Sequence, residues 1–133
     1  MNYDIIGGGN LNTYETPSFM TIGELIDVCK RNPTLVVKFL ETDYTVGSLS
    51  SWRGSYDLPS ISYESGAKTG KQVAAEIKAA LKETHYGYKG GQYKYTANQE
   101  FYVANCGSSS EIKVVKAEVE EGVLVLYTKL DPY

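Results

Sequence analysis

The chain has 133 residues, the length of a single domain, and can bury enough surface for an unaided core. Its 13 Lys and Arg against 16 Asp and Glu leave a net charge of -3. That excludes the basic surface of a nucleic-acid backbone binder and falls short of a DNA mimic's carboxylate coat. Two cysteines and one histidine exclude a disulfide scaffold and a four-ligand zinc site within one chain.

In chain order, residues 1–19 carry Gly7-Gly8-Gly9 and read as an N-terminal extension, a short strand plus a flexible lead-in. No positive, apolar leader is visible there and no apolar run reaches 18 residues, so an intracellular chain outside the membrane is expected. Thr21-Ile22-Gly23-Glu24 is a capping box. Behind it Ile22, Leu25, Ile26 and Cys29 recur at helical spacing, and Asn32-Pro33 stops the helix. Strand-like runs follow at Leu35–Leu40, Asp43–Trp52 and Ile61–Glu64. A second capping pattern, Thr69-Gly70-Lys71-Gln72, opens a helix with Val73, Ile77, Ala80 and Leu81 on one face, expected to end near Thr84. Further strands are predicted at Gln92–Thr96 and Phe101–Asn105. The chain closes with a hairpin, Ile112–Val119 and Val123–Leu130, turning through Glu120-Glu121-Gly122.

The sum is one α+β domain over residues 1–133: a predominantly antiparallel sheet with two inserted helices and a C-terminal β-hairpin. Val123-Leu124-Val125-Leu126-Tyr127 is apolar at every position, so both faces of that strand call for burial. A hairpin at the sheet edge would find that cover in a second subunit, or in the N-terminal segment. The hairpin over residues 112–130 is therefore a candidate oligomer interface.

The enzyme readings fail. Gly66-Ala67-Lys68-Thr69-Gly70-Lys71-Gln72 is one residue short of a phosphate loop, and Gln72 stands where a magnesium-binding hydroxyl belongs. Gly7-Gly8-Gly9-Asn10-Leu11-Asn12 lacks the third glycine of the dinucleotide fingerprint. His85 is the lone histidine, and no nucleophile signature surrounds any Ser or Cys. Glu41, Asp43, Asp57 and Glu64 are scattered strand carboxylates of the kind that face solvent. No catalysis, metal or cofactor is expected.

What remains is binding chemistry. Ser50-Ser51-Trp52-Arg53-Gly54-Ser55-Tyr56-Asp57 sets the only tryptophan beside one of two arginines, with Tyr56 close behind. Guanidinium suits bidentate phosphate recognition, and an aromatic face suits a base. A strand-anchoring Trp52 with an Arg53–Asp57 ion pair is the structural alternative. The second segment runs from His85-Tyr86-Gly87-Tyr88-Lys89-Gly90-Gly91-Gln92-Tyr93-Lys94-Tyr95 to Phe101-Tyr102-Val103-Ala104-Asn105. On a strand Tyr93 and Tyr95 point to one face, and the Asn105 carboxamide suits a base edge or a turn. Rings, lysines and an amide fit a small anionic aromatic ligand, and equally a tyrosine-rich subunit interface.

Trp52-Arg53-Gly54-Ser55-Tyr56, Gly87-Tyr88-Lys89-Gly90-Gly91-Gln92-Tyr93 and Val103-Ala104-Asn105 stand in that order behind Met20-Thr21-Ile22-Gly23-Glu24-Leu25-Ile26. Over about residues 20–105 this pattern resembles a family of small phage proteins, the anti-Thoeris sponges, which sequester the cyclic ADP-ribose signal of host TIR-domain enzymes. The resemblance implies an antiparallel sheet with two inserted helices, and a homo-oligomer of dimers assembling into hexamers. It also implies binding without turnover, in the cytoplasm of the infected bacterial host, of a small nucleotide-derived signal, cyclic oligonucleotides included, and of no DNA or RNA polymer. It implies that Arg53 grips a phosphate, that Tyr88, Tyr93 or Tyr95 stacks on adenine, that Asn105 bonds the base or a ribose hydroxyl, and that Tyr56 lines the wall. The chain departs from the pattern where Lys94 and Lys113 occupy regions expected to hold a second arginine. A partner chain would then supply the other cation for a diphosphate. The alternative is a phage inhibitor that binds a host defence protein directly through a tyrosine-rich paratope.

Overall fold

A computed structural model describes residues 19–52, 55–86, 91–104 and 112–130, with only the backbone described at 52 and 55–57. The reading of residues 1–18 as a strand and lead-in lies outside the described residues. Both capping boxes form as the sequence dictates. In the first, the Thr21 hydroxyl accepts the Glu24 N–H at 3.2 Å and the Thr21 N–H donates to Glu24 Oε1 at 2.8 Å. Helix α1 runs over Ile22–Arg31 and buries Ile22, Leu25, Ile26 and Cys29. Helix α2 runs over Gly70–Leu81, its Thr69 cap reciprocated by Gln72, and buries Val73, Ala74 and Ile77. It ends three positions before Thr84: Lys82 keeps helical dihedrals, but its N–H already turns to the Ala79 and Ala80 carbonyls.

The strands are β1 (Val36–Phe39), β2 (Tyr44–Trp52), β3 (Ser55–Ser65), β4 (His85–Tyr86), β5 (Gln92–Tyr93), β6 (Tyr102–Ala104), β7 (Ile112–Glu120) and β8 (Val123–Leu130). Six of them form one sheet in the order β1-β8-β7-β6-β3-β2, and β4 and β5 form a separate pair. The fold is α+β, with a mostly antiparallel sheet, two helices and the C-terminal strand pair. Two neighbour pairs are parallel, β1 with β8 and β3 with β6.

This order corrects the expectation that the hairpin lies at the sheet edge. Strand β8 is interior, with β1 on one side and β7 on the other. Leu124 and Leu126 are buried in the core while Val123, Val125 and Tyr127 on the opposite face are half-buried. The uniformly apolar run thus reflects a central strand, with β1 parallel on one side and β7 antiparallel on the other.

The sheet is rolled. Six strands laid flat would separate β1 from β2 by about 24 Å, at roughly 4.8 Å per strand. Yet Phe39 and Tyr44 are joined by a link of four residues, Leu40–Asp43, which can reach at most about 19 Å. The Phe39 and Tyr63 rings, from β1 and β3, sit 4.6 Å apart. Lys68 and Thr69 occupy the seam. The Val37 N–H donates to the Lys68 carbonyl at 2.9 Å, and the Lys68 ammonium donates to the Val46 carbonyl of β2 at 3.0 Å. Burial alone would lower the Lys68 pKa, but hydrogen bonds to Glu76 and Glu64 outweigh it and raise it above its ordinary value.

The rolled sheet and the two helices enclose one core, which includes Phe39, Ile61, Val103, Val114 and Phe101. Cys29 is fully buried there, and that burial pushes its thiol up to about 12. Cys29 is therefore expected to resist alkylation by iodoacetamide at pH 8 in the native protein and to react fully in urea. Peptide mapping after labelling reads this directly, and native-state modification of Cys29 would contradict the packing described.

Candidate functional site

Helix α2 packs along β2. Lys68, just before the helix, donates to the Val46 carbonyl, and Glu76, Ile77, Ala80 and Glu83 line one shallow cleft with Gly47, Ser48 and Leu49. Three residues after α2 the chain forms the β4–β5 pair, with His85 opposite Tyr93 and Tyr86 opposite Gln92. At the far end of β2 from Val46, Trp52 pairs with Ser55, and Arg53 and Gly54 between them lie outside the described residues.

In the β4–β5 pair three rings pack together. His85 stacks on Tyr93 at 5.2 Å with 21° between planes, and it also meets Tyr95 at 5.2 Å. Tyr93 and Tyr95 meet edge to face at 5.5 Å. The strand expected over Gln92–Thr96 is shorter, ending at Tyr93, yet exposure still alternates past its end: Gln92 and Lys94 are exposed, Tyr93 is half-buried and Tyr95 is buried. The two tyrosines share a face, but they are not equivalent. Tyr95 is only 3% exposed and belongs to the core cluster, so its ring supports Tyr93 and offers no free face to a ligand. Tyr93 keeps a partly open ring, and Tyr86 on the neighbouring strand is 68% exposed.

His85 and Tyr86 carry no separate sequence signal as a strand, since a two-residue pairing is too short for periodicity. The role of His85 as the stacking partner of Tyr93 emerges only from the strand register. Its Nε2 is buried without a hydrogen-bond partner among the described residues.

The remaining site positions divide. Tyr56 lies on β3, with its backbone alone described, and Arg53, Tyr88 and Asn105 lie outside the described residues. Their flanking strands nevertheless constrain the arrangement. Trp52, just before Arg53, pairs with Ser55, whereas Ala104, just before Asn105, pairs with Ser62. Positions 55 and 62 are about 23 Å apart along β3 at roughly 3.3 Å per residue. The strands leading to Arg53 and to Asn105 thus end at opposite parts of β3. The sequence order of the motifs gives no hint of this separation.

The two lysines that stand where the family pattern expects a second arginine also separate. Lys113 is committed to structure: its ammonium pairs with Glu100 at 3.0 Å and lies over the Tyr102 and Phe19 rings at 4.6 and 5.5 Å. Lys94 is exposed. Arg31 is exposed at the end of α1, beside the start of α2 and away from the β4–β5 pair. Among the described residues no group of three or more His, Cys, Asp or Glu side chains forms a metal-holding cluster. Among the described residues no helix is long and apolar enough to cross a membrane.

Comparison with protein-family models, with curated proteins and with solved structures finds no match to this chain.

Proposed function

We propose that this protein binds and sequesters a cyclic nucleotide-type immune signal, a cyclic ADP-ribose isomer, without cleaving it, and so acts for a phage against host defence. The observation that supports this reading is the His85–Tyr93 ring stack on the strand pair that follows α2, a helix packed along β2, the strand whose last residue, Trp52, precedes Arg53 in the chain. An adenine would lie on Tyr93, whose far face is backed by the His85 and Tyr95 rings, and Arg53 would take a phosphate with its planar fork. Tyr88 and Tyr56 would close the walls. Strand β6, which leads to Asn105, pairs with the other part of β3, so in this reading Asn105 serves a site completed by a second subunit of a homo-oligomer, a dimer or hexamer. The larger cyclic oligonucleotides fit the same requirement for rings and a guanidinium.

In this reading the ligand is held without turnover, and His85, stacked on Tyr93 and tilted against Tyr95, serves as a support for the Tyr93 ring.

Calorimetric titration with cyclic ADP-ribose isomers, followed by heat release and chromatography of the bound molecule, tests the reading. Tight binding with intact release is expected. Binding to none of them, with co-purification of a host defence protein, would replace this reading by that of a protein-directed inhibitor.

A further inference from the structure

The surface carries two features of opposite charge at one end of the molecule. The first is a shallow groove of about 260 Å³ between α1 and α2, floored by Pro33, Ala74 and Ala75 and rimmed by Lys30, Lys71 and Lys78. Lys71 and Lys78 are seven residues apart on α2, so they rise from one helix face with Ala74 and Ala75 between them. None of the three lysines has a carboxylate partner among the described residues. In contrast Lys38, Lys68, Lys113 and Lys116 are each ion-paired. An acidic chain that pairs those four lysines leaves these three gathered around an apolar floor.

The second feature is the tip of the C-terminal hairpin. Glu121 and Gly122 both take positive φ, 53° and 80°, the geometry of a two-residue turn that matches strand twist. Glu120 accepts the Tyr127 hydroxyl proton, and Lys116 neutralises Glu118 at 3.2 Å. Glu121 stands at the apex with no partner among the described residues. Beside it Val119 is 54% exposed, one of the few large apolar side chains so open. The tip is a two-residue turn, acidic at its apex and apolar at Val119, with Glu120 and Glu121 also edging the depression beside residues 38–43. The groove is concave, basic and apolar-floored.

We infer that the Val119–Gly122 tip of one copy seats in the groove between α1 and α2 of a second copy, Glu121 among Lys30, Lys71 and Lys78, and Val119 on the alanine floor. The contact is reciprocal. Val36 of β1 pairs in parallel with Val123, so the tip lies level with the residues just before β1, where Pro33 lines the groove. Tip and groove therefore flank β1 at the same end, and a twofold axis there lets each copy give its tip and receive the other's. Because the tip is held by its turn, little ordering accompanies association. The charges are exposed, so the contact weakens as salt screens them. It rests on the proposed function only in that it locates part of the assembly invoked there, and it is tested without any nucleotide.

Sedimentation equilibrium of the full chain at 50 and 500 mM NaCl is the experiment. Wild type is expected to self-associate, with a dissociation constant at least tenfold higher at the higher salt. A Lys71→Glu/Lys78→Glu chain and a Glu121→Lys chain are each expected to lose the association while keeping wild-type circular dichroism and melting temperature. Mixed in equal amounts, the two variants restore it, because an acidic groove then meets a basic tip. A wild type that stays monomeric at 500 µM, an association that both charge reversals leave intact, or a mixture no heavier than its components would each overturn the inference.

Discussion

Replacing Gly70 by alanine is expected to destabilise the protein by about 3 kcal/mol, the upper range for overpacking, or to prevent folding altogether. A Cβ at this position would approach the Asn32 and Cys29 carbonyl oxygens closer than 3.0 Å, a distance real Cβ atoms essentially never show. Both atoms are backbone at the end of α1, so neither can rotate away as a side chain would. The same glycine donates its N–H to the Leu35 carbonyl at 2.9 Å, and Lys71 donates to Pro33 at 3.1 Å. The start of α2 is thereby fastened both to the end of α1 and to the segment entering β1. Relief of the clash would push α2 off α1 and open the seam that Lys68 and Thr69 fill. Urea denaturation followed by circular dichroism measures the loss. Gly66→Ala provides the contrast: nothing lies within 4 Å of a Cβ there, so its cost comes only from the φ of 104° that an alanine tolerates poorly. If Gly70→Ala costs no more than Gly66→Ala, the close approach of α1 and α2 is not as described.

Arg53→Ala is expected to weaken binding of a cyclic ADP-ribose isomer at least a hundredfold, about 2.8 kcal/mol at roughly 1.4 kcal/mol per tenfold. Loss of a charge-assisted bidentate contact to phosphate is of that order. Unfolding free energy should change by no more than about 0.5 kcal/mol if the role of Arg53 is confined to the ligand. Arg53→Lys should recover only part of the affinity, because an ammonium supplies charge without the planar fork. Calorimetry on the three proteins separates these outcomes. Unchanged affinity in Arg53→Ala would remove the phosphate role from this residue.

How far the fold could be read from the sequence depended on how local each signal was. The helix starts are fixed within four residues by Thr21 with Glu24 and Thr69 with Gln72, and both appear where the pattern sets them. The C-terminal strands match because their turn is spelled by adjacent residues, Glu121 and Gly122. The end of α2 is less legible, since Lys82-Glu83-Thr84 contains no glycine or proline to stop a helix. The start of β3 at Ser55 is hidden by Pro59, which reads as a turn. Proline is tolerated there because β6 joins β3 only from Ser60 onward, leaving β3 without that neighbour at Pro59. Parallel pairing of Val36 with Val123, and of Ser60 with Tyr102, has no local signature at all. These pairings turned an expected edge hairpin into a central one.

The candidate site shows the same division. Period-2 alternation correctly places Tyr93 and Tyr95 on one face, but the depth of each ring depends on what the rest of the chain packs behind it. Tyr95 lies in the common core with Phe101 and Ile22, and so becomes a support. Likewise the lysine expected near a diphosphate, Lys113, is held by Glu100 and two rings from separate parts of the chain.

The central claim is that this protein holds a nucleotide signal intact. The most direct measurement is to saturate purified protein with a cyclic ADP-ribose isomer, remove the excess, release the bound molecule by heat, and apply it to TIR-activated effector enzyme. The account predicts that the saturated complex leaves the effector silent, and that the heat-released material activates it fully and is chromatographically unchanged. A signal that the protein never retains, or one that returns cleaved and inactive, would contradict it.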